Sequence, residues 1–326
     1  MDLFFNPKYA EVYKKIDGNS ETYVFNSFYG SVKYNYILRE VDIKINNEIY
    51  YDIVTPYGYG GPLAENVKDI KLLMQEFYKS FSDYCLQHNI ICEFIRFHLY
   101  DNIDIRENYY GEAVYSRNNV VVNTSGDFEN DIWGAYERKV RKNVRKAEKN
   151  NLCILIESNL SHISDFLEIY DDTMDRNNAE DYYYFDKSYF ENIEKLLPDN
   201  FMYFYVLKGN KIISTELVLY SGRYAYSFLG GTLTDYYEYR PNDFLKNEII
   251  KWANKKGIEK FILGGGYHND DGIYKYKRGF TKDPDVQFYI GKYIFNQEIY
   301  DKIVEKRKST DSSFDNSSQY FPLYRS

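Results

Sequence analysis

The sequence predicts an α/β (α+β) chain of two domains, each a mixed, mostly antiparallel sheet flanked by helices. Three observations carry that expectation. Apolar and polar residues alternate with period two over residues 21–29 and 31–45, the pattern of antiparallel strands with one buried face. Residues 201–207, 211–220 and 223–229 are three more strand-like runs, joined at Gly209-Asn210 and Ser221-Gly222 as a meander. With 326 residues, 44% hydrophobic and 28% charged, the chain can bury a large core, and its length favours two domains over one.

Taken in order, a strand over 49–54 runs into Gly58, Gly60, Gly61 and Pro62, a turn whose backbone can approach a ligand or simply close a loop. Asn66 is placed to cap a helix reaching about His88, with Val67, Ile70, Leu73, Met74, Phe77, Phe81 and Tyr84 as its core stripe. Strands follow over 91–99 and 114–122. Asp127 or Asp131 opens a helix to about Asn150, apolar along Ile132, Trp133, Tyr136, Val140, Val144 and Ala147. The second domain starts with a strand over 153–157 and a helix from Ser161 to about Met174, and a further helix runs to Leu197. After the meander, Asn242 or Asp243 caps a helix to Lys256, and Gly257 takes the left-handed position beyond it. Residues 261–263 form a strand that stops at Gly264-Gly265-Gly266, and Asp270 or Asp271 opens a short helix carrying Lys275, Lys277 and Arg278. The expected division is 1–130, a basic linking helix 131–150, a second domain 151–308, and a polar tail 309–326 of the composition that stays disordered.

Composition removes several classes. A formal charge of −8, from 41 Lys and Arg against 49 Asp and Glu, argues against a general nucleic-acid coat and confines any RNA contact to one local groove. Cys85, Cys92 and Cys153 sit singly in apolar segments, which suits buried free thiols in a reducing cytoplasm. No run approaches the length that spans a bilayer, so no integral membrane segment is expected. There is no Gly-x-Ser-x-Gly elbow and no His-Glu-x-x-His metal motif, and no metal is expected. The 38 tyrosines are read mainly as strand packing, with a tyrosine-lined cleft as the alternative.

The run from Asn242 to Phe280, with Trp252-Ala253, the three glycines and Tyr274-Lys275-Tyr276-Lys277-Arg278-Gly279-Phe280, resembles the Fem-type peptidyltransferases and their relatives in the N-acetyltransferase (GNAT) superfamily. Three upstream stretches agree: residues 52–62, the basic run 140–148, and residues 170–184. The resemblance implies two GNAT-like domains facing a shared cleft. It implies acyl or aminoacyl transfer to an amine of a cell-wall or surface-polysaccharide precursor, the acceptor being a small-molecule or nucleotide-linked glycan or peptide. No cofactor is required; the donor is aminoacyl-tRNA, held by its acceptor end, or acyl-CoA. The glycine-free connection 235–242 argues against the usual pyrophosphate-binding loop of acyl-CoA enzymes and favours the aminoacyl-tRNA donor. A catalytically silent pair that binds a carbohydrate or protein is the reading from a different class.

Lys277 is the lysine that the resemblance points at the reacting carbonyl, where a cation offsets developing negative charge. His98 is a candidate base, weighed against a structural histidine, and the substrate itself could serve instead. Arg141, Lys142 and Arg145 belong to a basic helix face suited to phosphates or to plain solvation. Arg176 is a candidate clamp for an acceptor phosphate or carboxylate, or a surface ion pair. Tyr57, Gly60, Gly61, Gly265, Gly266 and Tyr274 complete the substrate-binding candidates.

Overall fold

A computed structural model describes residues 1–266 and 268–326. In chain order its elements are α1 (Pro7–Val12), β1 (Asn19–Ser27), β2 (Gly30–Glu40), β3 (Tyr51–Val54), β4 (Leu63–Glu65), α2 (Ile70–Gln87), β5 (Ile90–Arg96), α3 (Ile103–Glu107), β6 (Glu112–Asn123) and α4 (Arg138–Lys149). There follow β7 (Leu152–Glu157), α5 (Ile163–Arg176), α6 (Lys187–Leu196), β8 (Phe201–Lys208), β9 (Lys211–Ser221), β10 (Tyr224–Thr232), α7 (Pro241–Lys256), β11 (Lys260–Gly264), α8 (Gly272–Arg278), β12 (Val286–Ile294) and α9 (Gln297–Thr310). The expectation of α/β structure, mixed and mostly antiparallel sheets flanked by helices, is met.

The chain forms two compact units, residues 4–116 with 287–326, and residues 1–3 with 117–286. These limits differ from the expected ones at both ends. β12 and α9 were not foreseen, and β12 runs antiparallel to β5 from Ile290 opposite Arg96 to Ile294 opposite Cys92, which carries the last forty residues into the first unit. Strand order there is β1-β2-β3-β5-β12, with β4 also on β2. α2 covers this sheet with Leu73, Met74, Phe77, Phe81 and Cys85 packed on Val32, Tyr34 and Tyr36.

The second unit orders its strands β6-β11-β10-β9-β8-β7. The meander is as expected, antiparallel from β7 through β10. β10 and β11 are parallel and pair over only three positions, ending at Tyr226 opposite Ile262. Beyond that point β10 carries an irregularity between Ser227 and Leu229, and β11 one between Ile262 and Gly264. α7 packs against this sheet through Phe244, Leu245, Ile249, Ile250 and Ala253.

Several sequence expectations are corrected locally. α2 begins at Ile70 because Asp69 accepts from Leu72 N at 3.0 Å, while Asn66 has a positive φ of 54° and Val67 is exposed. The helix expected over 131–150 breaks at Tyr136, whose backbone is extended; α4 starts at Arg138. Arg141 holds that break, its Nη1 donating to the carbonyls of Tyr136 at 2.7 Å and Gly134 at 3.2 Å. α7 opens on Pro241, so Asn242 and Asp243 lie inside the helix rather than capping it. Gly257 is left-handed at φ 77°, and Asp271 caps α8, both as expected. Cys85 and Cys92 are buried but Cys153 is exposed, because it falls on the outward side of β7. The polar tail is not loose: Tyr324 is buried and Arg325 pairs with the buried Asp52.

Candidate active site

The second unit assembles its candidate site where β10 and β11 part. β11 ends in three glycines that other groups approach closely. A Cβ on Gly265 would meet the Asn118 carbonyl at 2.7 Å, and one on Gly266 would meet the Asp271 carboxylate at 2.3 Å. At Gly265 the obstruction is backbone, so glycine is required there, while at Gly266 a side chain would displace the Asp271 carboxylate. Asp271 accepts from Tyr274 N at 2.7 Å and from His268 N at 3.1 Å, which fixes the start of α8. Tyr274 Oη donates to Asp285, whose carboxylate also pairs with Arg278 at 3.3 Å.

One turn further on, Lys277 Nζ donates to the Gly265 carbonyl at 2.6 Å. A Cβ on Gly264 would lie 3.6 Å from that nitrogen, so the ammonium rests against the glycine strand end. Burial pushes its pKa down to about 8; Lys246 and Arg117 act in the same direction, and the carboxylates of Glu216 and Asp271 act against it. The lysine therefore stands near the point where an ammonium can release its proton at physiological pH.

Behind Lys277 lies an ion pair that the sequence reading missed. Lys246 on α7 donates to both carboxylate oxygens of Glu216 on β9, and to Ser227 Oγ on β10 at 2.7 Å. Both side chains are nearly buried, at 11% and 5% exposure. Two signals were available: a lone acid inside the apolar run 212–219, and a lysine between Leu245 and Ile249 on the inward face of α7.

The other candidates fall in different places. Arg176 on α5 pairs with Asp172 at 2.8 Å and reaches Thr232 O at 3.5 Å, its guanidinium over the Tyr237 ring. It is thus a surface pair that also borders the end of β10. On α4, Lys142 and Arg145 are exposed and Arg145 lies over Trp133, whereas Arg141 is occupied by main-chain carbonyls. Tyr57, Gly60, Gly61 and His98 lie in the first unit. Gly60 and Gly61 are buried among Thr55, Ile95 and Asn102, and the Gly60 carbonyl accepts from Asn102 Nδ2 at 2.8 Å. Tyr57 offers its carbonyl to Tyr9 Oη at 2.6 Å. His98 is 1% exposed, and its Nδ1 accepts from Tyr100 N at 3.2 Å and Asp101 N at 3.0 Å. That geometry is a turn held by an imidazole, the structural alternative to a cleft-facing base. Among the described residues no group of three His, Cys, Asp or Glu side chains could hold a metal ion, and no helix is long and apolar enough to cross a membrane.

The fold around this strand-end site is GNAT-like. A family model described as an acetyltransferase (GNAT) domain matches residues 135–278, which include Glu216, Lys246, the three glycines and Lys277. The Fem-type resemblance holds as well. The crystal structure of FemX superposes with a TM-score of 0.67 at 16% identity, covering 91% of this chain and 93% of that one. The structure of L-PGS from Bacillus licheniformis gives 0.53 at 12% identity, covering 90% and 92%. The lipid II:glycine glycyltransferases of Staphylococcus haemolyticus and Staphylococcus epidermidis are each 26% identical over 102 residues. That match is 29% of this chain and 24% of each relative, so the aligned segment spans about a quarter of the length of those relatives.

Proposed function

We propose that the protein transfers an acyl or aminoacyl group to an amine of a cell-wall precursor in the cytoplasm, with aminoacyl-tRNA as donor. The observation that carries this reading is Lys277, a depressed-pKa ammonium fixed on the Gly265 carbonyl at the open end of two parting strands. Attack of an amine on the ester carbonyl builds negative charge first on the carbonyl oxygen and then on the leaving RNA-terminal alkoxide, which departs as the alcohol by taking up the proton that the amine gives up. A preorganised cation in a site of restricted water stabilises both. Arg176, beside the end of β10, is the proposed contact for an acceptor phosphate or carboxylate. Tyr274, Gly265 and Gly266 form the wall beside Lys277, and Lys142 and Arg145 the contact for donor phosphates. The lipid II:glycine glycyltransferase likeness supports a lipid II-type glycan-peptide as acceptor.

A second reading, acyl-CoA as donor, is favoured by the acetyltransferase domain match. Against it stands the connection between β10 and α7, a 3-10 segment Thr234–Tyr239 without glycine that leads into Pro241, which has no N–H to offer a pyrophosphate. The deciding experiment incubates the protein with a nucleotide-linked muramyl pentapeptide or lipid II, and either glycyl-RNA minihelix or acetyl-CoA. A glycyl mass increment on the acceptor, lost in Lys277→Ala, is the expected result. An acetyl increment alone moves the assignment to acyl-CoA. No increment and no ligand-induced thermal shift with any of these compounds would overturn the transferase reading.

A further inference from the structure

The proposed transfer site contains a second lysine whose partners explain the behaviour of the first. Lys246 and Lys277 both lie close enough to Glu216 to feel its charge, yet Lys246 takes both carboxylate oxygens. Its third donor goes to Ser227, at the last regular position of β10 before the irregularity and one residue past the last pairing with β11. Lys246 therefore sits where the two strands separate. A lysine near a buried carboxylate ordinarily takes that carboxylate as its hydrogen-bond partner. Lys277 instead donates to a neutral main-chain carbonyl, while Lys246 takes both oxygens of Glu216. Glu216 is placed for this by pairing opposite Gly230, where a side chain would meet the Thr215 carbonyl at 2.5 Å and Glu216 Cα at 3.1 Å.

We propose that Lys246, clamped by Glu216 and Ser227 where β10 and β11 part, is a positioning residue that keeps Lys277 on the Gly265 carbonyl. This rests on the transfer reading for its purpose, and on the clamp geometry for its existence. The charged groups facing Lys277 are Lys246 from α7, Glu216 from β9, Arg117 from β6 and Asp271 from the start of α8. Of these, Lys246 and Glu216 are bonded to each other and act on Lys277 with opposite sign. Removing Lys246 leaves Glu216 to attract Lys277 directly, which holds its proton more tightly. Removing the charge of Glu216 leaves two ammoniums facing each other, which loosens it.

The test is competitive labelling of the full chain with trace acetic anhydride from pH 6 to 11, with acetylation of Lys277 read by peptide mass spectrometry against free lysine. It needs neither donor nor acceptor. The wild-type protein should show a midpoint near 8. Lys246→Met should raise the midpoint by about one unit or more, and Glu216→Gln should lower it by a similar amount. Either variant alone decides, so the loss of one to misfolding, read by circular dichroism, leaves the other. A folded variant whose midpoint stays within about 0.3 unit of wild type would show a merely structural pair and overturn the proposal. If the midpoints move but no donor yields Lys277-dependent transfer, the positioning role stands and the transferase reading falls.

Discussion

Glu93 lies fully buried on β5, with Tyr109 Oη donating to one carboxylate oxygen at 2.9 Å and Tyr34 Oη to the other at 3.3 Å. Burial outweighs these hydrogen bonds and raises its pKa to about 7. Because the folded state holds this proton more tightly than the unfolded chain, stability is greatest below the unfolded value and falls as pH rises from about 4.5 to 7. The loss is on the order of 3 kcal/mol. Chemical denaturation at pH 5 and pH 7.5 should show that decrease, and Glu93→Gln should flatten it; an equal pH dependence in the variant would exclude Glu93 as its source. Lys277 titrates with the opposite consequence. Its lowered pKa means that the charged form is disfavoured on folding, so stability rises between about pH 8 and 10.5 and the ammonium is a burden at neutral pH. Lys277→Met should leave the thermal midpoint unchanged or higher while turnover falls by about 10²–10³. A midpoint several degrees lower, with turnover within threefold, would make it a structural residue.

At the scale of elements, α4 separates into residues that fold and residues that face water. Val140, Val144 and Ala147 are buried, and Arg141 ties the helix to the preceding turn. Reversing Arg141 would therefore confuse binding with folding. Lys142 and Arg145 are exposed, and with a minihelix RNA donor the double variant Lys142→Glu, Arg145→Glu should reduce the log–log salt slope by about two units. Filter binding from 50 to 300 mM salt reads this directly, and an unchanged slope would reduce the face to a solvated one. The break before α4 was not legible in the sequence, since the apolar spacing from Ile132 to Ala147 is continuous; what interrupts it is Tyr136 turning into the core beside Phe280. The meander, by contrast, was legible because each turn carries its own local signal at Gly209 and Gly222.

At the scale of the molecule, the first unit takes both its beginning and its end from distant parts of the chain. Asp52, fully buried, binds Arg39 at 2.6 Å, Arg325 at 2.6 Å and Tyr324 Oη at 2.9 Å. Removing residues 311–326 strips two of these partners from a buried carboxylate, and should cost about 3 kcal/mol. Differential scanning calorimetry of the shortened chain should show a midpoint lower by several degrees; an unchanged midpoint would mean that the segment is only draped on the surface. The sequence by itself determined the α/β class, the helix ends at Gly257 and Asp271 and the glycine strand end with Lys277, because periodicity, local caps and glycine requirements are local properties of the chain. Only the tertiary structure decided that 287–326 joins the first unit, that His98 serves a turn, and that Lys246 and Glu216 stand behind Lys277. The first and last of these facts depend on pairing between residues 30 to more than 270 positions apart, and no local pattern records which partner a buried charge will meet.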